Sequence, residues 1–292
     1  MDLRAIFMGV LFSLVWSSAF TSATIVVTSA PPLLSLSLRF FLAGIIGVFI
    51  AMLLGQTIRL TPTQWRATFV FGICQNTLYL GLNFLALQTV EASLASIIAS
   101  SMPLMVALSG WIIFREKLSF LTFSGLFLGF FGVAMIMGLR VTVGADSYGI
   151  ILCIIGSVAF TAATLMVPKT NFNGNMLMVV SLQMFVGAFF VGIAGCLTEE
   201  IVVKWSWPLI IAFSYTTLFP GLGATFIWFL MVKRMGAVKA ATFHFLNPFF
   251  GVVIATLILG EAISSVDFLG VVVITIGILM VQRSRRKILA RN

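Results

Sequence analysis

The chain has a single histidine, His244, and it falls in the middle of a long apolar run. Imidazole titrates near neutrality, so a histidine at that depth is a candidate for proton coupling. No Asp or Glu stands more than a turn inside an apolar run to complete a relay, and the other reading is a neutral hydrogen-bonding side chain. Asn76, Tyr79 and Asn83 are spaced three and four apart, which places them on one face of a helix. Gly221, Thr225 and Trp228 recur at nearly the same offsets in a later run. Polar groups are costly in hydrocarbon and turn toward a cavity or a neighbouring helix. The two faces therefore read as opposing walls of a water-filled site, against the alternative of interhelical hydrogen bonding.

Pro103 and Pro248 each lie near the middle of a run. Proline lacks an N–H and its ring displaces the carbonyl four residues back, which frees the carbonyls of Ala99 and His244 beside Ser100, Ser101 and Asn247. A freed carbonyl facing water can accept from a substrate ammonium or amide. A kink closed by its polar neighbours is the competing account, and in both the prolines are candidate hinges. Trp16 and Phe160 could stack on a substrate ring or simply pack. Arg39, a little more than a turn into its run, reads as an anchor for an anionic group or, the favoured reading, as a side chain snorkelling to the outer interface. Glu116 and Glu261 each precede a serine able to cap the next helix, an architectural role. Cys74, Cys153 and Cys196 stand singly in apolar surroundings and make neither a disulfide framework nor a metal site. No cofactor is implied.

The elements that must position these residues follow from composition. Of 292 residues 61% are hydrophobic and 9% charged, against about 25% charged in soluble domains. Runs of about 20 apolar residues cross a bilayer as helices, because lipid offers no partner to an unpaired backbone group. Ten runs qualify: residues 5–28, 33–54, 67–87, 93–114, 118–138, 148–168, 175–197, 207–232, 237–259 and 265–282. The first is longer than the apolar core of a signal peptide and is expected to stay. A shift of 145 places lays Pro103 on Pro248, Glu116 on Glu261, Gly125 on Gly270 and Gly132 on Gly277. This repeat predicts two units, residues 1–142 and 143–292. Five runs per copy is an odd number, so the copies enter the membrane from opposite sides, an inverted repeat. Fourteen Lys and Arg fall on the side of the termini against Arg140 and Lys204 opposite, which places both termini in the cytoplasm. The net charge of +9 thus marks topology and not nucleic acid.

Leu38-Arg39-Phe40, the stretch Ala92 to Ile98 leading to Pro103, Glu116-Lys117-Leu118-Ser119, and Gly125 with Gly132 together resemble the EamA family of the drug/metabolite transporter superfamily. Gly236 to Ala240, Asn247-Pro248, Gly260-Glu261 and Gly270 with Gly277 resemble it again. Arg115-Glu116 departs from the family's usual Gly-Glu, which touches local packing at that joint alone. The resemblance implies an all-α bundle of ten transmembrane helices, with a central cavity lined by runs 1, 3, 4, 6, 8 and 9 and runs 5 and 10 at the periphery. It also implies export of small metabolites, often amino acids and their derivatives, across the bacterial inner membrane. Alternating access about a midplane site is the expected mechanism. The expected partners are the bilayer and a small-molecule substrate, with the chain a monomer or homodimer. Purines and drug-like amphipaths remain as substrates. Nucleotide sugars and lipids fit less well, since phosphates call for several buried cations and Arg39 is the single one more than a turn inside a run. An intramembrane enzyme would need a nucleophile with its base, an aspartate pair or a metal-binding histidine pair, none of which the sequence supplies.

Overall fold

A computed structural model describes residues 3–112, 119–142, 144, 146–166, 174–236 and 240–289. Among them all regular structure is helical: α1 (Leu3–Val27), α2 (Pro32–Leu53), α3 (Pro62–Ala86), α4 (Ala92–Ala99), α5 (Met102–Ile112), α6 (Phe120–Thr142), α7 (Ser147–Met166), α8 (Met176–Thr198), α9 (Trp207–Met235), α10 (Asn247–Leu259) and α11 (Ser265–Leu289). Eight spans are long and apolar enough to cross a membrane, α4 and α5 acting as one from Ala92 to Ser109, with shorter apolar helices at Asn247–Leu259 and Ser265–Gly277. The expected residues Arg115, Glu116, Lys117, Lys169, Lys239 and Arg291 lie outside the described ones.

The partition of side chains is that of a protein in lipid. Phe120, Leu197 and Leu257 are 85, 80 and 79% exposed, while Gln75, Asn76, Ser96 and Gln183 are fully buried. Exposed apolar bodies outside and polar groups inside are what a hydrocarbon solvent selects. Trp65, Trp111, Trp205 and Trp207 are exposed near span ends, where indole favours the interface.

Helix starts are written into the local sequence at several places. Thr61 and Gln64 exchange side-chain and backbone bonds ahead of Pro62 in a capping box that opens α3. Ser206 accepts from Leu209 N–H and Pro208 follows it in α9. Ser264 and Asp267 cap α11 reciprocally, as expected of a serine at that place. Gly260 ends α10 at φ 72°, a left-handed conformation that glycine reaches without strain.

Two spans are broken at the expected prolines. Between α4 and α5 the chain turns at Ser100–Ser101, and Pro103 is the second residue of the new helix. Before α10 it tightens into a 3₁₀ turn, Thr242–Leu246, and Pro248 is the second residue of α10. Two further spans are widened. Gly72–Leu80 within α3 and Thr217–Ala224 within α9 are π-helical, a form concentrated at functional sites. Pro220 sits inside the second.

Around these, α2 lies along α8 and α6 along α11, while α1 packs on α4, α9 and α10. Glycines let α6 and α11 approach closely: a Cβ on Gly132 would strike Ile274 and one on Gly277 would strike the Gly129 backbone. The connections at 28–31, 87–91, 199–206 and 260–264 gather with Asp146 at one end, tied by Lys204 N–H to Ser29 O at 2.8 Å and by Thr89 Oγ1 to Asp146 at 2.8 Å. At the opposite end Thr57 N–H donates to Asn175 Oδ1 at 3.1 Å.

Candidate functional site

Helices α1, α3, α7 and α9 and the 3₁₀ turn converge on a cluster of six rings: Phe12, Trp16, Tyr79, Phe160, Trp228 and His244. Trp16 and Phe160 are nearly parallel at 5.4 Å between centroids, and Tyr79 stacks on Phe160 at 4.8 Å. His244 meets Phe12 and Trp228 at 5.2 Å and Trp16 and Phe160 at 5.9 Å, edge-on in each case. Offset and edge contacts of this kind are the favoured geometries for aromatic pairs. The rings are close to fully buried and plug the centre of the bundle.

The imidazole is fixed by Asn247, whose Nδ2 lies 2.8 Å from His244 Nδ1. Three buried polar atoms here have no hydrogen-bond partner among the described residues: Trp228 Nε1, His244 Nε2 and Asn247 Oδ1. Buried polar atoms are nearly always partnered, and leaving them empty costs free energy that water or a ligand recovers. Next to His244 stand aromatic rings and an amide.

Beside the cluster, toward the end that holds residues 87–91, is a cavity of about 30 Å³ lined by Trp16, Arg39, Tyr79, Asn83, Pro220 and Thr225 among others. That volume admits one or two waters, so the expected water-filled chamber is nearly closed. Asn83 Nδ2 donates to Tyr79 O at 2.7 Å, which leaves its oxygen as an acceptor on the cavity wall.

Trp16, Tyr79, Asn83, Phe160, Thr225, Trp228 and His244 are thus brought together from distant parts of the chain. Asn76 is not. Its Nδ2 donates to Gln183 O on α8 at 3.0 Å, and its Cβ packs where Gly187 has no side chain. The expectation of one face for Asn76, Tyr79 and Asn83 assumed an α-helical turn; the π-helical segment is wider and rotates Asn76 off the face that Tyr79 keeps.

Ala99 and Ser100 stand at the break between α4 and α5. Ser100 Oγ and Ser101 Oγ donate to Ile97 O and Ile98 O in their own turns. The His244 carbonyl that Pro248 displaces is taken by Asn247 N–H. Ser96 Oγ donates to Asn247 O at 3.0 Å, so the two broken spans touch beside their breaks.

Arg39 overturns the snorkelling expectation. It is 3% exposed and points inward, where its Nε donates to Thr216 O at 3.1 Å. The cause is Pro220, which denies that carbonyl its helical partner four residues on. The guanidinium carbon lies 5.5 Å from the Phe40 ring and 5.7 Å from the Phe84 ring. Pro220, in the interior of its span, was the available signal in the sequence.

A model of the EamA-like transporter family matches residues 3–138 and again 147–283. The uncharacterized transporter YvbV of Bacillus subtilis is 27% identical over 253 residues, 86% of this chain and 83% of that protein. The uncharacterized inner membrane transporter YedA of Escherichia coli K12 is 24% identical over 286 residues, 94% of this chain and 89% of that one. One crystal structure, at 18% identity, superposes with a TM-score of 0.73 over 99% of both chains, a likeness of fold. Matched over nearly its whole length, the chain belongs to the EamA-like transporter family.

Proposed function

We propose that this inner-membrane protein is a secondary transporter that exports a small uncharged or zwitterionic metabolite, an amino acid or derivative, by alternating access. Ten spans form two inverted five-helix units, residues 1–142 and 143–292, with both termini cytoplasmic. The six-ring cluster with its unpartnered Trp228 Nε1 and His244 Nε2 carries the reading. A plug of rings drawn from residues 12 to 244, with polar atoms left empty, suits an amphipathic guest whose apolar body replaces ring contacts and whose polar end meets those atoms. The charge distribution supports the orientation: Arg59, Arg66, Lys233 and Arg234 lie toward the end of the termini, Glu91, Asp146, Glu199 and Glu261 toward the other. The broken spans at Pro103 and Pro248 supply the hinges.

The test is counterflow in proteoliposomes loaded with pooled amino acids, purines or organic cations, with and without a pH gradient. Exchange of an amino acid pool that falls at least tenfold in Trp16→Ala is the expected result. Exchange confined to cations or purines would replace the substrate assignment, and equal rates in protein-free vesicles would end it. A His244→Gln protein whose transport keeps its response to the gradient would remove proton coupling at that residue.

A further inference from the structure

The cavity wall includes a positive charge that the bundle does not neutralise. Among the described residues Arg39 has no carboxylate partner, and its one hydrogen bond is from Nε to Thr216 O. A buried guanidinium with five donors, only one of them engaged, carries a large desolvation cost. The rings of Phe40 and Phe84 offset part of it. They also hold the group in place, as does Gly221: a Cβ there would lie 3.3 Å from Nη2 and 3.0 Å from Thr216 O. Pro220 exposes the carbonyl, the carbonyl fixes Nε, and the missing side chain at 221 leaves room for the terminal nitrogens beside the cavity.

We infer that Arg39 is the anchor for a single carboxylate on the transported molecule, and so selects an aromatic or apolar monocarboxylate. The inference rests on the transport reading for its physiological meaning and on binding alone for its test. The planar fork of guanidinium matches a carboxylate with two parallel bonds. One isolated cation balances one negative charge, whereas a phosphate monoester brings about two, and among the described residues no second Lys or Arg lines this cavity. The ring of Trp16 shares the wall with Arg39, which puts the apolar body of such a ligand on the plug while its carboxylate sits on the guanidinium.

The experiment measures binding to purified full-length protein by quenching of intrinsic tryptophan emission. The probes are matched sets: phenylalanine with phenylalaninamide, 3-phenylpropionate with its amide, and phenyl phosphate. Wild type is expected to bind each carboxylate about tenfold to a hundredfold more tightly than its amide, the range for hydrogen bonds to a charged group. Arg39→Gln is expected to erase that ratio while amide binding stays within about threefold. Arg39→Lys keeps the charge without the fork and should keep part of the ratio. Gly221→Ala, which leaves Arg39 in the chain and crowds its Nη2, should lower carboxylate binding selectively, and it serves if Arg39→Gln fails to fold. Equal affinity for acid and amide in wild type, a ratio that survives in Arg39→Gln or Gly221→Ala, a preference for phenyl phosphate, or binding of none of these probes would each overturn the assignment. Arg39-dependent carboxylate binding without counterflow would leave the anchor standing and remove the transporter. Counterflow indifferent to the carboxylate would do the reverse.

Discussion

The two ends of the bundle secure their helices by different chemistry. Helix α2 has no side-chain cap of its own, and the Glu199 carboxylate accepts from Leu33 and Leu34 N–H at 2.8 and 2.9 Å. Helix α4 is also uncapped locally, and Glu261 accepts from Ala92 and Ser93 N–H at 2.8 and 3.0 Å. At the other end α8 lacks a cap, and its Met178 N–H is taken at 2.9 Å by the amide oxygen of Gln56. Three helices are thus finished by residues more than a hundred positions away. A carboxylate at a helix N-terminus makes charge-assisted bonds and meets the dipole, while an amide does only the neutral part. The acid end is therefore the more firmly latched, and the cavity lies toward it.

Removing the stronger latch should cost most. Glu261→Ala strips two N–H groups of an eight-residue helix of their acceptor and should destabilise the purified protein by about 2 kcal/mol, read from its thermal midpoint in detergent. Gln56→Ala should cost about 1 kcal/mol or less by the same measurement. If the two losses are equal, charge is not what separates the ends. Gln56→Glu should sharpen the contrast by raising stability about 0.5 kcal/mol, an increment that high salt removes.

The smallest effect concerns Asp146. The Thr89 hydroxyl, with Tyr148 and Gly149 N–H, holds its carboxyl below the usual aspartate range. A depressed pKa contributes stability above the unfolded value and loses it as pH falls through the folded one. Thr89→Val should raise the Asp146 pKa toward that of a free aspartate, followed by carboxyl NMR, and leave neutral-pH behaviour unchanged.

Composition and periodicity made the helical membrane fold legible, because lipid demands long apolar runs and nothing else builds them. The breaks at Pro103 and Pro248 were legible for a local reason: a missing N–H acts within four residues. What escaped is non-local or subtle. The π-helical segments begin 145 residues apart, at Gly72 and Thr217, the offset that superposes the prolines. Pro220 accounts for the second. In the first the only mark is Thr77, whose hydroxyl bonds back to Gly72 O at 3.1 Å, and an ordinary threonine announces nothing. Widening by part of a turn is enough to take Asn76 off the site. The inward turn of Arg39 needs a carbonyl 177 positions later, and no window along the chain contains both. Ser264 points to an architectural role for Glu261 at the start of α11, and the structure puts that role at the start of α4 instead.

The tryptophans divide into two optical populations. Trp16 and Trp228 are buried in the ring plug, while Trp65, Trp111, Trp205 and Trp207 are exposed at the rims of the bundle. Brominated lipid can darken the rim set without reaching the inner pair, whose emission then isolates the plug. Any opening that hydrates the plug shifts that residual spectrum to the red, so the unlabelled protein carries its own gauge of which state its core is in.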